Sequence, residues 1–227
     1  MLLLASAIAN VPGLGDVTSV HLDHTIDFGP SATPSWPTPQ VLPPVTNGPD
    51  LKVYGYVAYW DDDLNTVPWD QLSHLALFNA DVDTAGNLSN TARWDQAAAA
   101  VAMGQPYGVD VHLAITNFNT SELETLLGNP AARANLITQL ATWESTTGVA
   151  GINVDFEGMP SSRRAEMVQF VTDLDAVVGD VVLATPAVDW SNAWDEAALT
   201  DHADLFIMGY AFTGSWSERA GPTAPLR

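Results

Sequence analysis

GINVDFEG, Gly151 to Gly158, sets Ile152, Val154 and Phe156 against Asn153, Asp155 and Glu157 in strict alternation. In an extended strand the three apolar side chains share one face, and the amide and two carboxylates share the other. Val149 and Ala150 lengthen the apolar run, which weakens the reading of a half-exposed strand whose polar face is simply solvated. With both faces covered, Asp155 and Glu157 stand side by side with Cα atoms about 7 Å apart. Close carboxylates shielded from water repel, so one holds a proton near neutral pH, and that is the condition for a general acid. A divalent-cation site is a third reading, which needs further carboxylates converging from neighbouring strands.

Outward from this segment the chain has a regular beat. Short apolar, β-branched runs recur at Val53 to Trp60, His74 to Asn79, Val111 to Thr116, Gly151 to Glu157, Val181 to Pro186 and Leu205 to Tyr210. Helix-like sequence or a loop follows each, and such βα alternation implies a parallel sheet. The helices carry their own punctuation. Ser121 and Glu124 have capping-box spacing, Asn129 before Pro130 makes a second start, and Gly148 stands where that helix would stop. Ser161 or Ser162 predicts a further start, with Met167, Phe170, Val171 and Leu174 as one buried stripe before Gly179. Six strands without a Gly-rich phosphate turn predict an α/β fold, a (β/α)8 TIM barrel truncated after about six βα units. An open doubly wound sheet is the alternative. In a barrel the polar groups at the C-terminal strand ends form the site: Trp60 with Asp61, Asn79 with Asp81, Asn117, Glu157, Asp189 with Trp190, and Tyr210.

Composition bounds the remaining possibilities. The chain has 227 residues, nearly half hydrophobic, with 27 acidic against 7 basic side chains and a formal charge of -20. It can bury a sizeable core, and the charge argues against nucleic acid as a partner. There are no cysteines, which excludes disulfides and thiolate chemistry. Of the five histidines, His21 and His24 lie near the start, while His74, His112 and His202 are scattered through apolar segments without ligand spacing. Each is read as a core or surface histidine, and neither a metal nor a cofactor is expected. The opening MLLLASAIAN has the apolar core and small-residue end of an export signal and is too short to span a bilayer. Export to the medium or the cell surface is therefore the expected localisation. Residues 1–28 read as a poorly patterned N-terminal segment, 29–50 as a proline-rich linker containing Trp36, and 51–227 as the body. The Asp61 to Asp63 triplet reads as a solvated acidic loop.

The body resembles glycoside hydrolase family 18, the chitinase family. GINVDFEG is similar to the family's fourth-strand motif DGxDxDxE. KVYGYVAYW resembles its first strand, HLALFNADVD its second, ATPAVDW its fifth and LFIMGYAFTGSW its sixth-strand segment, all in the family's order. The resemblance implies retaining hydrolysis of β-linked N-acetylglucosamine polymers, in which the substrate's own acetamido oxygen attacks the anomeric carbon. It implies Glu157 as general acid and base, Asp155 as partner of the acetamido N–H, and Asn153 and Tyr210 beside them. Tyr59, Trp60, Asn79, Asn117, Asp189 and Trp190, at or near the predicted strand ends, are the candidate substrate-binding residues. Three positions depart from the family: Ala150 replaces its opening Asp, Asn153 its next Asp, and Ala211 the Asp after the sixth-strand Tyr. Counterparts of its seventh and eighth strands are missing, so a piece of a longer protein is expected, monomeric when full length. A non-catalytic glycan-binding protein and a peptidoglycan-directed N-acetylglucosaminidase are the alternatives, and retention of Asp155 and Glu157 argues against the first.

Overall fold

The β-branched runs do form strands, and a helix or a helical turn stands between each and the next parallel strand. In the computed structural model, which describes residues 52–210 other than Asp62, together with Ala224, the elements run as follows. Strand β1 is Tyr54–Val57 and β2 is His74–Val82, with a two-residue β3, Leu88–Ser89, folded back on it. Helix α1, Ala97–Gly104, leads to β4, Asp110–Asn117. Two helices follow, α2, Thr120–Gly128, and α3, Pro130–Thr147, before β5, Gly151–Phe156. Then come α4, Arg164–Asp175, β6, Asp180–Pro186, α5, Glu196–Leu199, and β7, Asp204–Met208. Segments 1–28 and 29–50, and the position Ala211, lie outside the described residues.

The strands lie in the order β1-β2-β4-β5-β6-β7, every adjacent pair parallel, with β3 antiparallel to the end of β2. Side chains across the interior distinguish a curled barrel wall from an open doubly wound sheet. Phe206 on β7 packs on Tyr54 and Tyr56 of β1, with ring centroids 5.5 and 5.7 Å apart. Lys52, just before β1, ion-pairs with Asp204 at the start of β7. Strands at opposite ends of the sheet can meet this way only when it curls. The fold is thus a (β/α)8 barrel truncated after about six units.

The outer face of the wall carries the core. Leu123, Leu126 and Leu127 of α2, Leu136 and Leu140 of α3, and the predicted α4 stripe of Met167, Phe170, Val171 and Leu174 are all inaccessible to solvent. All six residues of β5 are buried, as expected for a central strand covered on both sides. Phe156 stacks on Phe170 at 6.0 Å, which directs the Ile152, Val154 and Phe156 face toward α4. Phe170→Ala is expected to cost about 3 to 5 kcal/mol of stability through the cavity it leaves. A urea midpoint shift matching a loss of under 1 kcal/mol would rule out this packing.

Two helix starts differ from the sequence reading. Asn119, not Ser121, caps α2, accepting from the Ser121 and Glu122 amides. The Asn119 amide is itself held by Asn117 Oδ1 at 2.9 Å, so the helix begins before the Ser121 box can act. Helix α4 begins at Arg164 without a side-chain cap, because Ser161–Arg163 forms a tight 3-10 turn and Ser162 donates to Glu124 of α2. It also stops at Asp175, short of Gly179. Asn129 with Pro130, and Gly148 at φ 75°, act as predicted.

Candidate active site

The inner face of β5 presents Asn153, Asp155 and, one residue past the strand, Glu157, which are 0%, 2% and 6% exposed. Asn153 reaches across the interior, where its Oδ1 accepts from the Tyr56 hydroxyl of β1 at 3.5 Å. The Glu157 amide donates to Asn117 O at 3.1 Å, which continues the parallel pairing for one residue. Gly158 then turns the chain away at φ +71°, a conformation that favours glycine. Glu157 is therefore fixed at the C-terminal mouth of the barrel, with its backbone pinned on one side and a turn on the other.

Four buried polar atoms at this spot have no hydrogen-bond partner among the described residues: Asn153 Nδ2, Asp155 Oδ1, Glu157 Oε1 and the Tyr210 hydroxyl. Such atoms are costly to leave unpaired, and a cluster of them marks a place shaped for a polar ligand. Nor does a cationic side chain pair with either carboxylate among the described residues. Burial consequently pushes the Asp155 carboxyl up to about 7. It pushes Glu157 up to about 9, with the Asp155 charge adding to the effect. The two titrate as a pair, and between its two steps the pair holds a single proton. The neighbour's charge and the higher position favour that proton on Glu157. Burial, followed by the charges of Asp155 and Glu157, also raises Tyr210 well above the usual phenol range, so its hydroxyl stays a donor.

Beside Glu157 opens a cleft of about 280 Å³ walled by Met159, Asp189, Trp190, Trp194 and Met208 among others. Asp189 and Trp190, which follow β6, meet there. Trp190 is 79% exposed on the rim. Asp189 turns inward on its own loop, accepting from the Ala193 and Trp194 amides at 3.0 and 2.8 Å. Burial would raise the Asp189 carboxyl, but those amides and the Ser191 hydroxyl outweigh it and hold the group below its ordinary value.

The remaining candidates do not line this cleft. Tyr59 and Trp60 pack edge to face at 4.6 Å on a turn whose Ala58 and Tyr59 carbonyls accept from the buried Arg93. Trp60 borders a separate depression beside Gly55, Val57 and Leu72, along the edge of β1. Asn79, following a cis Phe78–Asn79 peptide, donates to Asp81 and to Thr116 on the neighbouring strand. Asn117 is buried with its amide committed to Val82 O at 2.8 Å and Glu122 at 3.0 Å, so it organises the β4–α2 turn. Sequence reasoning gave no role to Tyr56, Met159, Trp194 or Met208. Only Tyr56 had a visible signal, its alternation with Tyr54 on an inward strand face.

Comparison with known proteins agrees with this architecture. YdhD of Bacillus subtilis strain 168, a candidate sporulation-specific glycosylase, is 29% identical over 168 residues, covering 68% of this chain and 39% of YdhD. The YdhD crystal structure superposes with a TM-score of 0.60 at 26% identity, over 67% of this chain and 55% of that one. A chitinase from Bacteroides thetaiotaomicron shares the fold at 20% identity, TM-score 0.66, over 77% and 58% of the two chains. The Group IV chitinase of Ostrinia furnacalis, solved with allosamidin, does so at 16% identity, TM-score 0.70, over 78% and 55%. The chain thus spans well under two thirds of each of these relatives. The family model described as glycosyl hydrolases family 18 matches residues 52–227, a range that includes the carboxylate strand, and the chain belongs to that family.

Proposed function

We propose that the chain carries the catalytic centre of a retaining glycosidase acting on β-linked N-acetylglucosamine polymers, chitin or chitooligosaccharides, outside the cell and as a monomer. The substrate's acetamido oxygen attacks the anomeric carbon while Glu157 delivers its proton to the glycosidic oxygen, and the C–O bond to the leaving sugar breaks. Asp155 accepts from the acetamido N–H and offsets the positive charge of the resulting oxazolinium ring, and Tyr210 donates to the acetamido oxygen. Water then attacks the same carbon as the Glu157 carboxylate takes its proton, and the acetamide is regenerated with the configuration retained. One observation carries this reading: two adjacent buried carboxyls with raised pKa values, each with an oxygen unpaired among the described residues, beside a tyrosine hydroxyl likewise unpaired there. A ligand offering an N–H and a carbonyl oxygen matches that set, and the substrate's acetamido group offers both.

The test is incubation of the chain with N-acetylglucosamine oligomers, following the anomer of the new reducing end by proton NMR. Initial formation of the β-anomer is expected. Formation of the α-anomer would exclude the retaining route, and saturable binding without any cleavage would favour a glycan-binding protein. The relationship to YdhD supports a second reading, a peptidoglycan-directed N-acetylglucosaminidase, and parallel digestion of purified peptidoglycan separates the two by rate. Trp190→Ala is expected to raise KM for a long oligomer about tenfold, leaving kcat and the melting temperature nearly unchanged, since this exposed ring is free to stack on a sugar. An unchanged KM would remove Trp190 from the binding surface.

A further inference from the structure

The opposite, N-terminal end of the barrel holds a second cluster, assembled by strand register. Tyr54 stands beside His74, His74 beside Asp110, His112 beside Gly151, and Gly151 beside Asp180. The glycine brings β5 and β6 together here, because a Cβ at position 151 would fall 2.0 Å from Asp180 O. His74 and His112 are 38 positions apart in sequence, yet their rings meet at 5.5 Å and 71°. His112 is wholly buried and His74 nearly so.

Each ring is oriented through Nδ1. Ser73 Oγ lies 2.7 Å from His74 Nδ1 and has Val53 O, at 3.2 Å, as acceptor for its own proton. The Tyr54 hydroxyl lies 2.9 Å from His112 Nδ1. Hydroxyls that take the Nδ1–H of an imidazole leave the Nε2 lone pair available, the supporting arrangement found around metal-binding histidines. His74 Nε2 is 4.0 Å from an Asp110 oxygen, and His112 Nε2 is 3.8 Å from an Asp180 oxygen. One ring nitrogen from each histidine and one Asp180 oxygen all lie within 4.8 Å of one another. His112 Nε2 has no hydrogen-bond partner among the described residues, although its residue is 0% exposed. The charged groups around the cluster are Asp110, Asp180, Asp204 and Lys52, and the Lys52 ammonium is committed to Asp204.

We propose that this barrel floor binds one divalent transition-metal ion of the zinc type, with His74, His112 and Asp180 as ligands. Two imidazoles and a carboxylate are a donor set for such borderline ions, whereas calcium and magnesium take oxygen alone. Tetrahedral bonds of about 2.0 to 2.1 Å bring ligand atoms to roughly 3.3 Å from one another, so the cluster must contract. The Asp180 side chain is 59% exposed at the start of its strand and is free to make that move. The ion would staple β2, β4 and β6 at the end remote from Glu157, so its role is structural.

The test uses the chain after treatment with EDTA, titrated calorimetrically with zinc chloride at pH 7.5, with magnesium chloride in parallel. One zinc per chain with a Kd of about 10 μM or tighter is expected, together with a zinc-dependent rise in melting temperature and no saturable magnesium binding. Asp180→Asn, at an exposed position, is expected to weaken zinc binding at least tenfold while leaving the metal-free melting temperature unchanged. His74→Gln is expected to weaken it further. The proposal is overturned by the absence of saturable zinc binding, by several weak equivalents spread over the acidic surface, or by both variants binding as the parent does.

Discussion

Glu157→Gln is expected to lower kcat/KM on an N-acetylglucosamine oligomer by about 1,000-fold or more, the contribution of a positioned general acid, and at the same time to stabilise the chain at alkaline pH. Glutamine keeps the shape and has no proton to give, so the loss falls on chemistry and binding survives. The stability gain follows from linkage. The folded Glu157 carboxyl lies above its ordinary 4.5, at about 9, because burial and Asp155 penalise its charged form. Between those values the folded chain binds more protons than the unfolded one, so stability is lost as pH rises through that window. The glutamine variant has no such slope at position 157. Its advantage is expected to be absent near pH 4 and to grow steadily as pH rises toward 9. Melting curves across that range, set beside the kinetics, check both halves. Unchanged turnover would mean that another group is the acid, and a variant less stable at every pH would mean that Glu157 is not buried charged.

Much of this was legible in the sequence because strands covered on both sides leave a strong signature. The alternation in GINVDFEG identifies both its faces, and the βα beat identifies the neighbours, so the inward polar row of Asn153, Asp155 and Glu157 and its place at the strand end could be read before any geometry. Helix starts were less legible. Ser121 and Glu124 match the capping spacing as well as Asn119 does, and the choice between them depends on Asn117 holding the Asn119 amide, a tertiary contact. Asn117 shows the same limit of the sequence. A polar residue at a strand end can face substrate or tie down its own loop, and only the Val82 and Glu122 bonds distinguish these. The histidines were the least legible. Ligand spacing along one helix is visible in sequence, whereas His74 and His112 meet through the register of β2 and β4.

Asp155→Asn completes the argument about the proton. The substitution is nearly isosteric at a position only 2% exposed, so the fold should survive it. It removes the one neighbouring charge that raises Glu157. Burial continues to hold Glu157 above the ordinary range, but the alkaline limb of kcat against pH is expected to move to lower pH. The magnitude of kcat should fall about 100- to 1,000-fold, because the oxazolinium-like charge loses the anion that faces it in a site shielded from water. The two effects are separable. Loss of rate with an unmoved limb would mean that Asp155 stabilises the intermediate without setting the proton on Glu157. A moved limb at an undiminished rate would mean the reverse, and no change in either would dismiss the pair as a catalytic unit. Family 18 has a third acid where this chain has Asn153, which here accepts from Tyr56, so in the proposed mechanism Asp155 is the one carboxylate among the described residues that raises Glu157. The displacement of the limb by Asp155→Asn is accordingly a direct measure of how far one buried charge can keep an acid protonated without a relay behind it.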